Sequence, residues 1–163
     1  KAHDMSLNVL KILNDSGIKS ILNFVGDGIL KSKYVRMAAD MKISENVFFH
    51  GSVNGDNKNL IINNNDLCLM PSRTEAFGLA SLECMSFGLP VIASNVPGQN
   101  ELVIDGYNGL LFRVSDIMDL FCKIKSIINN KDLYENLSNG ALRTADKYTS
   151  SSMAESYQKL FLD

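Results

Sequence analysis

The stretch "SRTEAFGLASLECMSFGLPVIAS", residues 72–94, joins a Phe-Gly turn, an apolar segment with helical spacing and a short apolar strand. Glu75 precedes the turn and Glu83 follows it, with seven residues between them. If the turn opens a helix over 79–87, the free backbone N–H groups around Gly78 point out of the helix start, where the helix dipole favours negative charge. The stretch therefore predicts an anion site flanked by two carboxylates.

On both sides of this stretch, short apolar strands alternate with helical patterns. Strands are predicted at 20–25, 46–50, 66–70, 90–94 and 109–112, and helices at 1–17, 29–42, 56–64, 79–87, 115–129, 131–147 and 150–161. In the first helix, Met5, Val9, Ile12 and Leu13 share one apolar face. This alternation indicates an α/β fold, a Rossmann-like parallel sheet with helices on both faces. Ligands of such sheets lie at the carboxyl ends of the strands, so the loops after residues 25, 50, 70 and 94 are candidate sites.

Composition narrows the class of protein. The chain has 163 residues, 45% of them hydrophobic, which fits one globular domain. Its formal charge of -2, with basic and acidic residues interspersed, argues against nucleic acid as a partner. Neither a signal peptide nor a membrane-spanning run is visible, so we expect a cytoplasmic protein. The three cysteines, Cys68, Cys84 and Cys122, are far apart, and we expect buried free thiols.

The loop after the first strand reads "GDG" and contains Gly26 and Gly28. It resembles the start of a dinucleotide-binding fingerprint, but Lys31 stands where the third glycine belongs and no acidic residue ends the next strand. A nicotinamide-dependent oxidoreductase is therefore disfavoured. Two interpretations of the loop stay open: a tight strand-to-helix connection with positive φ, or close backbone approach to a ligand phosphate or sugar.

The two glutamates cannot bind phosphate, but carboxylates accept paired hydrogen bonds from vicinal hydroxyls. Glu75 and Glu83 therefore fit a ligand that carries a diol on each side of a diphosphate, as a nucleoside diphosphate sugar does. The alternative is that both are ordinary exposed acids near a helix N-terminus, where each gains about 0.3–1 kcal/mol from the helix dipole. Spacing alone does not separate these interpretations.

Three segments carry a resemblance to a known family: "FVGDG", "PSRTEAFGLASLECMSFGLPVIAS" and "ELVIDGYNGLLF". Together they resemble the C-terminal, donor-binding domain of retaining GT-B glycosyltransferases with the E-x(7)-E motif, of the group 1 or family 4 type. The resemblance implies that residues 1–163 are one half of a GT-B fold, with the first strand and the N-terminal acceptor domain lying upstream. "KAHD" resembles the K-G-H-D segment of this family, while Ala76 and Asn100 replace a common glycine and proline.

The resemblance also implies roles for single residues. Glu75 would contact the transferred sugar, Lys1 would bind the donor diphosphate and stabilise the leaving group, and Glu83 would hold the ribose hydroxyls. The remaining predicted contacts with the donor come from Gly26, Gly28, Ser52, Val53, Phe77, Gly78 and Leu79, of which Ser52 and Val53 in "HGSV" lie against the base. A metal is not expected, because no D-x-D motif occurs and His3 and His50 have no ligand-like spacing.

The implied reaction transfers a hexose-type sugar from a UDP-sugar or GDP-sugar, without a further cofactor, to a glycan, lipid-linked or small-molecule acceptor. Polysaccharide biosynthesis is the expected setting, and the missing half could bring the protein to the inner membrane surface. A non-catalytic nucleotide-sugar-binding module with the same fold is the alternative. We expect the isolated half to be inactive, and the apolar stripe of Met153, Tyr157, Leu160 and Phe161 to pack on the missing domain or on its own.

Overall fold

The computed structural model of the chain describes residues 1–149 and Gln158. It confirms the predicted α/β architecture, in which helices flank parallel strands. The strands are β1 (Leu22–Val25), β2 (Val47–Gly51), β3 (Cys68–Met70), β4 (Val91–Ser94) and β5 (Gly109–Phe112). The helices are α1 (His3–Asp15), α2 (Lys31–Asp40), α3 (Gly55–Asn63), α4 (Leu79–Ser86), α5 (Gln99–Leu102), α6 (Ile117–Ile128) and α7 (Lys131–Ala145). A single 3₁₀ turn, Ser44–Asn46, precedes β2.

The strands form two parallel sheets where the sequence predicted one. β1 pairs with β2, and β4 lies between β3 and β5. Within the part of the chain that the structure describes, no strand joins β1 to β3. The two sheets are nevertheless linked by side chains, because the Asn23 amide on β1 donates to Asn65, shortly before β3, at 2.9 Å. We call the β1–β2 sheet with α2 and α3 the two-stranded half, and the β3–β5 sheet with α4 to α7 the three-stranded half.

Helix α1 spans both halves because it is apolar on two faces. Met5, Val9 and Leu13 pack in a cluster with α6 and with β4 and β5 of the three-stranded half. Leu7 and Leu10 pack in a second cluster with α2, β1 and β2. The single predicted face was therefore too narrow: Ile12 is only half-buried, whereas Leu7 and Leu10 are buried.

Several helices are one to four residues shorter than predicted, and one helix was not predicted. Helix α2 begins at Lys31, two residues later than predicted, because the Gly28 carbonyl accepts a bond from Lys31 N–H at 3.0 Å and closes a turn first. Ile29 is left fully exposed in that turn. The four-residue helix α5 was not predicted, since its sequence is too short to show a period. The helix predicted at 150–161, including its apolar stripe, lies outside the described residues except for the helical Gln158.

The histidine and cysteine side chains that the sequence singled out differ in burial. His3 lies edge-on against Phe24 and Tyr34, and burial there lowers the pKa of its imidazole. Cys68 is buried beside the half-buried Cys84, while Cys122 is exposed, so the expectation of three buried thiols holds fully for Cys68 and is wrong for Cys122. It fails because Cys122 lies on the solvent side of α6, a helix whose other face is buried.

Candidate functional site

The start of helix α4 is open and requires glycine. Gly78 is its N-cap, with φ 95° and ψ 42° in the left-handed region, and no side chain makes a capping hydrogen bond. A Cβ at position 78 would lie 2.8 Å from the Gln99 side-chain oxygen. Leu79, the first helical residue, is 69% exposed. The first N–H groups of α4 therefore have neither a cap nor a bulky side chain beneath them, and an anion can approach.

Helix α5 supports the loop that leads into α4. A Cβ at Gly98 would lie 2.4 Å from the carbonyl oxygen of Glu75, so the two backbones touch and only glycine fits. The neighbouring Gln99 is fully buried, and its amide donates to Ser81 Oγ at 2.5 Å. Sequence reasoning missed this support, because nothing in the local pattern ties residues 98 and 99 to a loop more than twenty residues earlier.

Glu75 is paired with Lys1, a contact that the sequence did not predict. Lys1 Nζ lies 2.5 Å from Glu75 Oε2, and the other carboxylate oxygen accepts a 3.3 Å bond from the Ala76 N–H. The hydrogen bond from Lys1 is the largest cause of a lowered pKa at Glu75, and burial opposes it. The Glu75 side chain is 15% exposed and that of Lys1 is 55% exposed. The carboxylate is thus held ionised at the edge of the open helix start.

A second ion pair links the same two segments. Arg73 Nη2, in the loop before α4, lies 3.0 Å from Asp4 Oδ2 in the first turn of α1. Lys1 and Asp4 are three residues apart, and Arg73 and Glu75 are two apart. Two ion pairs therefore join the loop to the start of α1. The cation belongs to the α1 side in one pair and to the loop in the other, and together they fix Lys1 relative to Glu75.

Glu83 is also paired with a lysine, which sequence reasoning missed. Lys58 Nζ on α3 forms an ion pair with Glu83 Oε1 on α4. Lys58 belongs to the asparagine-rich segment "NGDNKNLIINNND", to which no chemistry was assigned. Its spacing carries no signal, because the pair forms between two helices that are distant in sequence. Both predicted glutamates thus have a cation beside them, one from the start of α1 and one from α3.

The loops after β1 and β2 lie together. Gly26 N–H donates to the Gly51 carbonyl at 2.7 Å, so the "GDG" loop is joined to the segment that contains Ser52 and Val53. Gly26 has φ 122°, which is a glycine conformation, whereas Gly28 lies outside the positive-φ region. A Cβ at either position would meet no atom within 4 Å. The interpretation that the glycines serve a strained turn therefore holds only for Gly26, and both backbones are open to a neighbour.

In residues 1–149, no group of three or more His, Cys, Asp or Glu side chains is placed to hold a metal ion. No helix in the same part of the chain is long and apolar enough to cross a bilayer.

The fold and site together define a Rossmann-like α/β domain whose exposed helix start can take an anionic ligand between two lysine-paired glutamates. Residues 1–144 match the family described as "Glycosyl transferases group 1". The chain belongs to this family.

Relatives and solved structures agree with that assignment. The chain is 34% identical over 166 residues to the "Uncharacterized 41.2 kDa protein in cps region" of Klebsiella pneumoniae, covering 99% of this chain and 42% of that protein. It is 29% identical over 148 residues to the sulfoquinovosyl transferase SQD2 of Arabidopsis thaliana, covering 89% of this chain and 28% of the relative. The crystal structure of a mutant of S. aureus TarM, in complex with fondaparinux, α-GlcNAc-glycerol and UDP, matches with a TM-score of 0.87 at 25% identity, covering 100% of this chain and 33% of that one. The chain thus spans 28–42% of the length of these proteins.

Proposed function

We propose that this chain is the donor-binding half of a retaining, nucleotide-sugar-dependent glycosyltransferase that acts in polysaccharide biosynthesis. One observation carries the proposal: the uncapped start of α4 lies between Glu75 and Glu83, and each carboxylate is held by a lysine. A donor with a central diphosphate and a diol at each end matches this order of groups. The UDP named in the TarM structure carries the diphosphate and one of the two diols, that of its ribose.

In this proposal Glu75 contacts the transferred hexose and Glu83 holds the ribose. The N–H groups of Phe77, Gly78 and Leu79 bind the diphosphate. Cleavage of the bond between the anomeric carbon and the phosphate places negative charge on the leaving group. The positive charge of Lys1 and of the α4 start stabilises that negative charge. Because these groups supply positive charge, we propose that the donor binds without a divalent metal.

The base and phosphate would also touch the two joined loops of the two-stranded half. Ser52 and Val53 follow Gly51, to which the "GDG" loop is bonded, and the open space at Gly26 and Gly28 lets a ligand approach the backbone. We propose Ser52 and Val53 as the base contacts. The choice between a UDP-sugar and a GDP-sugar would be made there.

The rest of the enzyme lies upstream in this proposal. Helix α1 packs on both halves and leads into β1, which is the position of a crossover helix that joins two neighbouring parallel strands. We propose that an upstream segment supplies the strand before α1, next to β1 and between the two sheets, and that an N-terminal domain supplies the acceptor site. A glycan or lipid-linked acceptor would bind there, with the protein in the cytoplasm or at the inner membrane surface.

Calorimetric titration of the chain with uridine and guanosine diphosphates tests the donor site. We expect weak binding of one of them, equal with and without magnesium or manganese. Absence of binding to both, or binding only with metal, would show that the site is wrongly assigned.

Glutamate variants test the two roles. Glu83→Ala should weaken binding of the free nucleotide by about 1.5–3 kcal/mol, the range for hydrogen bonds to a charged group. Glu75→Ala should leave nucleotide affinity almost unchanged while removing most sugar transfer by the full-length protein. Glu135→Ala, which breaks an exposed ion pair with Lys131 on α7, is the matched control and should change neither quantity. Equal losses of nucleotide affinity in both site variants would contradict the two-diol arrangement.

Activity assays test the proposed division of the active site. The chain alone should transfer no sugar, and restoring the upstream half should restore transfer. Sugar transfer by residues 1–163 alone would contradict the proposal, and a full-length protein that binds donor without transferring sugar would favour the non-catalytic alternative.

A further inference from the structure

Lys58 is the cation beside the predicted ribose-binding carboxylate, and its position is not that of an ordinary surface pair. It lies on α3, whereas Glu83 lies on α4, so the ion pair joins two helices that follow different strands. The pairs of Lys11 with Asp15 and of Lys131 with Glu135, by contrast, join consecutive turns of one helix. An ion pair of the inter-helix kind fixes one element relative to another.

The two ends of this pair lead to two predicted parts of one ligand site. Helix α3 begins at Gly55, directly after the loop that contains Ser52 and Val53, and α4 begins at the proposed diphosphate site. The Lys58–Glu83 pair therefore ties the loop proposed for the base to the helix proposed for the ribose and diphosphate. No other ion pair within residues 1–149 links α3 to α4.

The pair leaves the carboxylate able to bind hydroxyls. Lys58 contacts Oε1 of Glu83, and Oε2 has no hydrogen-bond donor among the described residues. An ionised carboxylate accepts about four hydrogen bonds, so an ammonium and a diol can share it. The Glu83 side chain is 38% exposed and that of Lys58 is 29% exposed, so part of the Glu83 side chain is accessible to a ligand. Without Lys58, the carboxylate would rotate freely and would face the ligand diphosphate as an uncompensated negative charge.

We propose that Lys58 is a positioning residue that orients Glu83 toward the ribose diol and thereby sets the preference of the site for ribonucleotides. This inference rests on the proposed function, in which Glu83 binds ribose. Lys58 itself need not touch the donor.

The test measures ribose preference in the full-length protein. Affinities for uridine and guanosine diphosphate are compared with those for their 2′-deoxy analogues, and we expect the wild type to prefer the ribonucleotide of its base by about ten-fold or more. Lys58→Met should weaken ribonucleotide binding by about two- to five-fold, the range for a partly exposed ion pair, and leave the deoxynucleotide less affected. The preference should therefore shrink toward that of Glu83→Gln.

Two further variants separate positioning from general damage. Lys58→Arg keeps a cation and should restore the preference, which loss of packing or folding would not allow. Lys131→Met removes a more exposed lysine, whose ion pair lies within α7, and should leave affinity and preference unchanged.

The outcomes distinguish this inference from the proposed function. If the wild type binds neither diphosphate, the proposed function fails and this inference fails with it. If the wild type prefers ribonucleotides, Glu83→Gln removes the preference and Lys58→Met retains it, only the role of Lys58 is overturned. Tighter ribonucleotide binding by Lys58→Met would also overturn it, because Lys58 would then compete with the ribose.

Discussion

The strands of the two halves of the molecule are buried to different extents. In the three-stranded half, all four residues of β4 are buried, and β3 and β5 cover both of its edges. In the two-stranded half, three residues of β1 are half-buried and Val25 at its end is exposed. Both halves contribute loops to the candidate site, but the loops of the three-stranded half follow more deeply buried strands.

The two halves also differ in how tightly their parts of the candidate site are packed. The loop that carries Glu75 rests on Gly98 by direct backbone contact, and the helix that carries Glu83 packs against α7 and the core around Met85. In the "GDG" loop, a Cβ at Gly26 or Gly28 would meet no atom within 4 Å. The groups proposed to hold the sugar, the ribose and the diphosphate are therefore fixed by close packing, while the "GDG" loop has room to adjust.

The largest expected effect tests how deeply the strands of the two sheets are buried. Ile92→Ala on β4 removes a fully buried side chain from the cluster shared with α1 and α6, and should lower the free energy of unfolding by about 4 kcal/mol. Val25→Ala on β1 removes methyl groups from a side chain that is 42% exposed, and should cost less than about 1 kcal/mol. Urea unfolding of both variants provides the measurement. Similar losses would mean that β1 is covered as fully as β4.

A smaller effect compares the glycines of the two halves. Gly98→Ala and Gly55→Ala both place a Cβ on a backbone with positive φ, at 80° and 56°. Only the first Cβ meets backbone atoms, so we expect a loss of about 3 kcal/mol for Gly98→Ala and about 1 kcal/mol for Gly55→Ala. Unfolding by urea measures both. Nucleotide titration of Gly98→Ala should also show weakened binding, because the Glu75 loop must move, whereas equal stability losses would refute the close contact.

The smallest expected effect concerns the ion pair between Lys1 and Glu75, and it depends on pH. The folded pKa of Glu75 lies below its usual value, so the pair stabilises the fold above about pH 4.3 and loses that contribution as the pH falls through the folded pKa. At pH 7, Glu75→Gln should cost less than about 1 kcal/mol, because Lys1 is half exposed.

Unfolding free energies measured over a range of pH test the sign of this effect, with a second glutamate variant as the control. The difference in unfolding free energy between wild type and Glu75→Gln should shrink between pH 7 and about pH 3. Glu135→Gln, in an exposed pair within α7, should change stability by less than about 0.5 kcal/mol at pH 7. A difference for Glu75→Gln that grows on acidification would contradict the sign of the lowered pKa.

Sequence periodicity was enough to place the strands and most of the helices. Strand β4 and helix α4 were found within a residue, because their apolar patterns are local and are bounded by glycine and proline. The same local signal placed Glu75 and Glu83 on either side of the α4 start. It could not show how far Lys58 is from Glu83, since that distance depends on how α3 packs beside α4.

The division into two sheets lay beyond the sequence for the same reason. Alternating strands and helices predict parallel pairing, but they do not state which strand edges meet. The two apolar faces of α1 were visible only in part, because a helix that covers two sheets has more buried positions than one stripe accounts for. Gln99 was missed because a buried amide has no periodic signal.

The way α1 packs has a consequence for the order of events during synthesis. One of its apolar faces is completed by β4, β5 and α6, about a hundred residues later in the chain. On the ribosome, this face of α1 stays incomplete until residues near Ile124 have emerged, whereas the partners of Leu7 and Leu10 on α2, β1 and β2 emerge earlier. Until Ile124 has emerged, the incomplete face is a hydrophobic surface available to chaperones, and the nascent chain is most prone to aggregation in that interval.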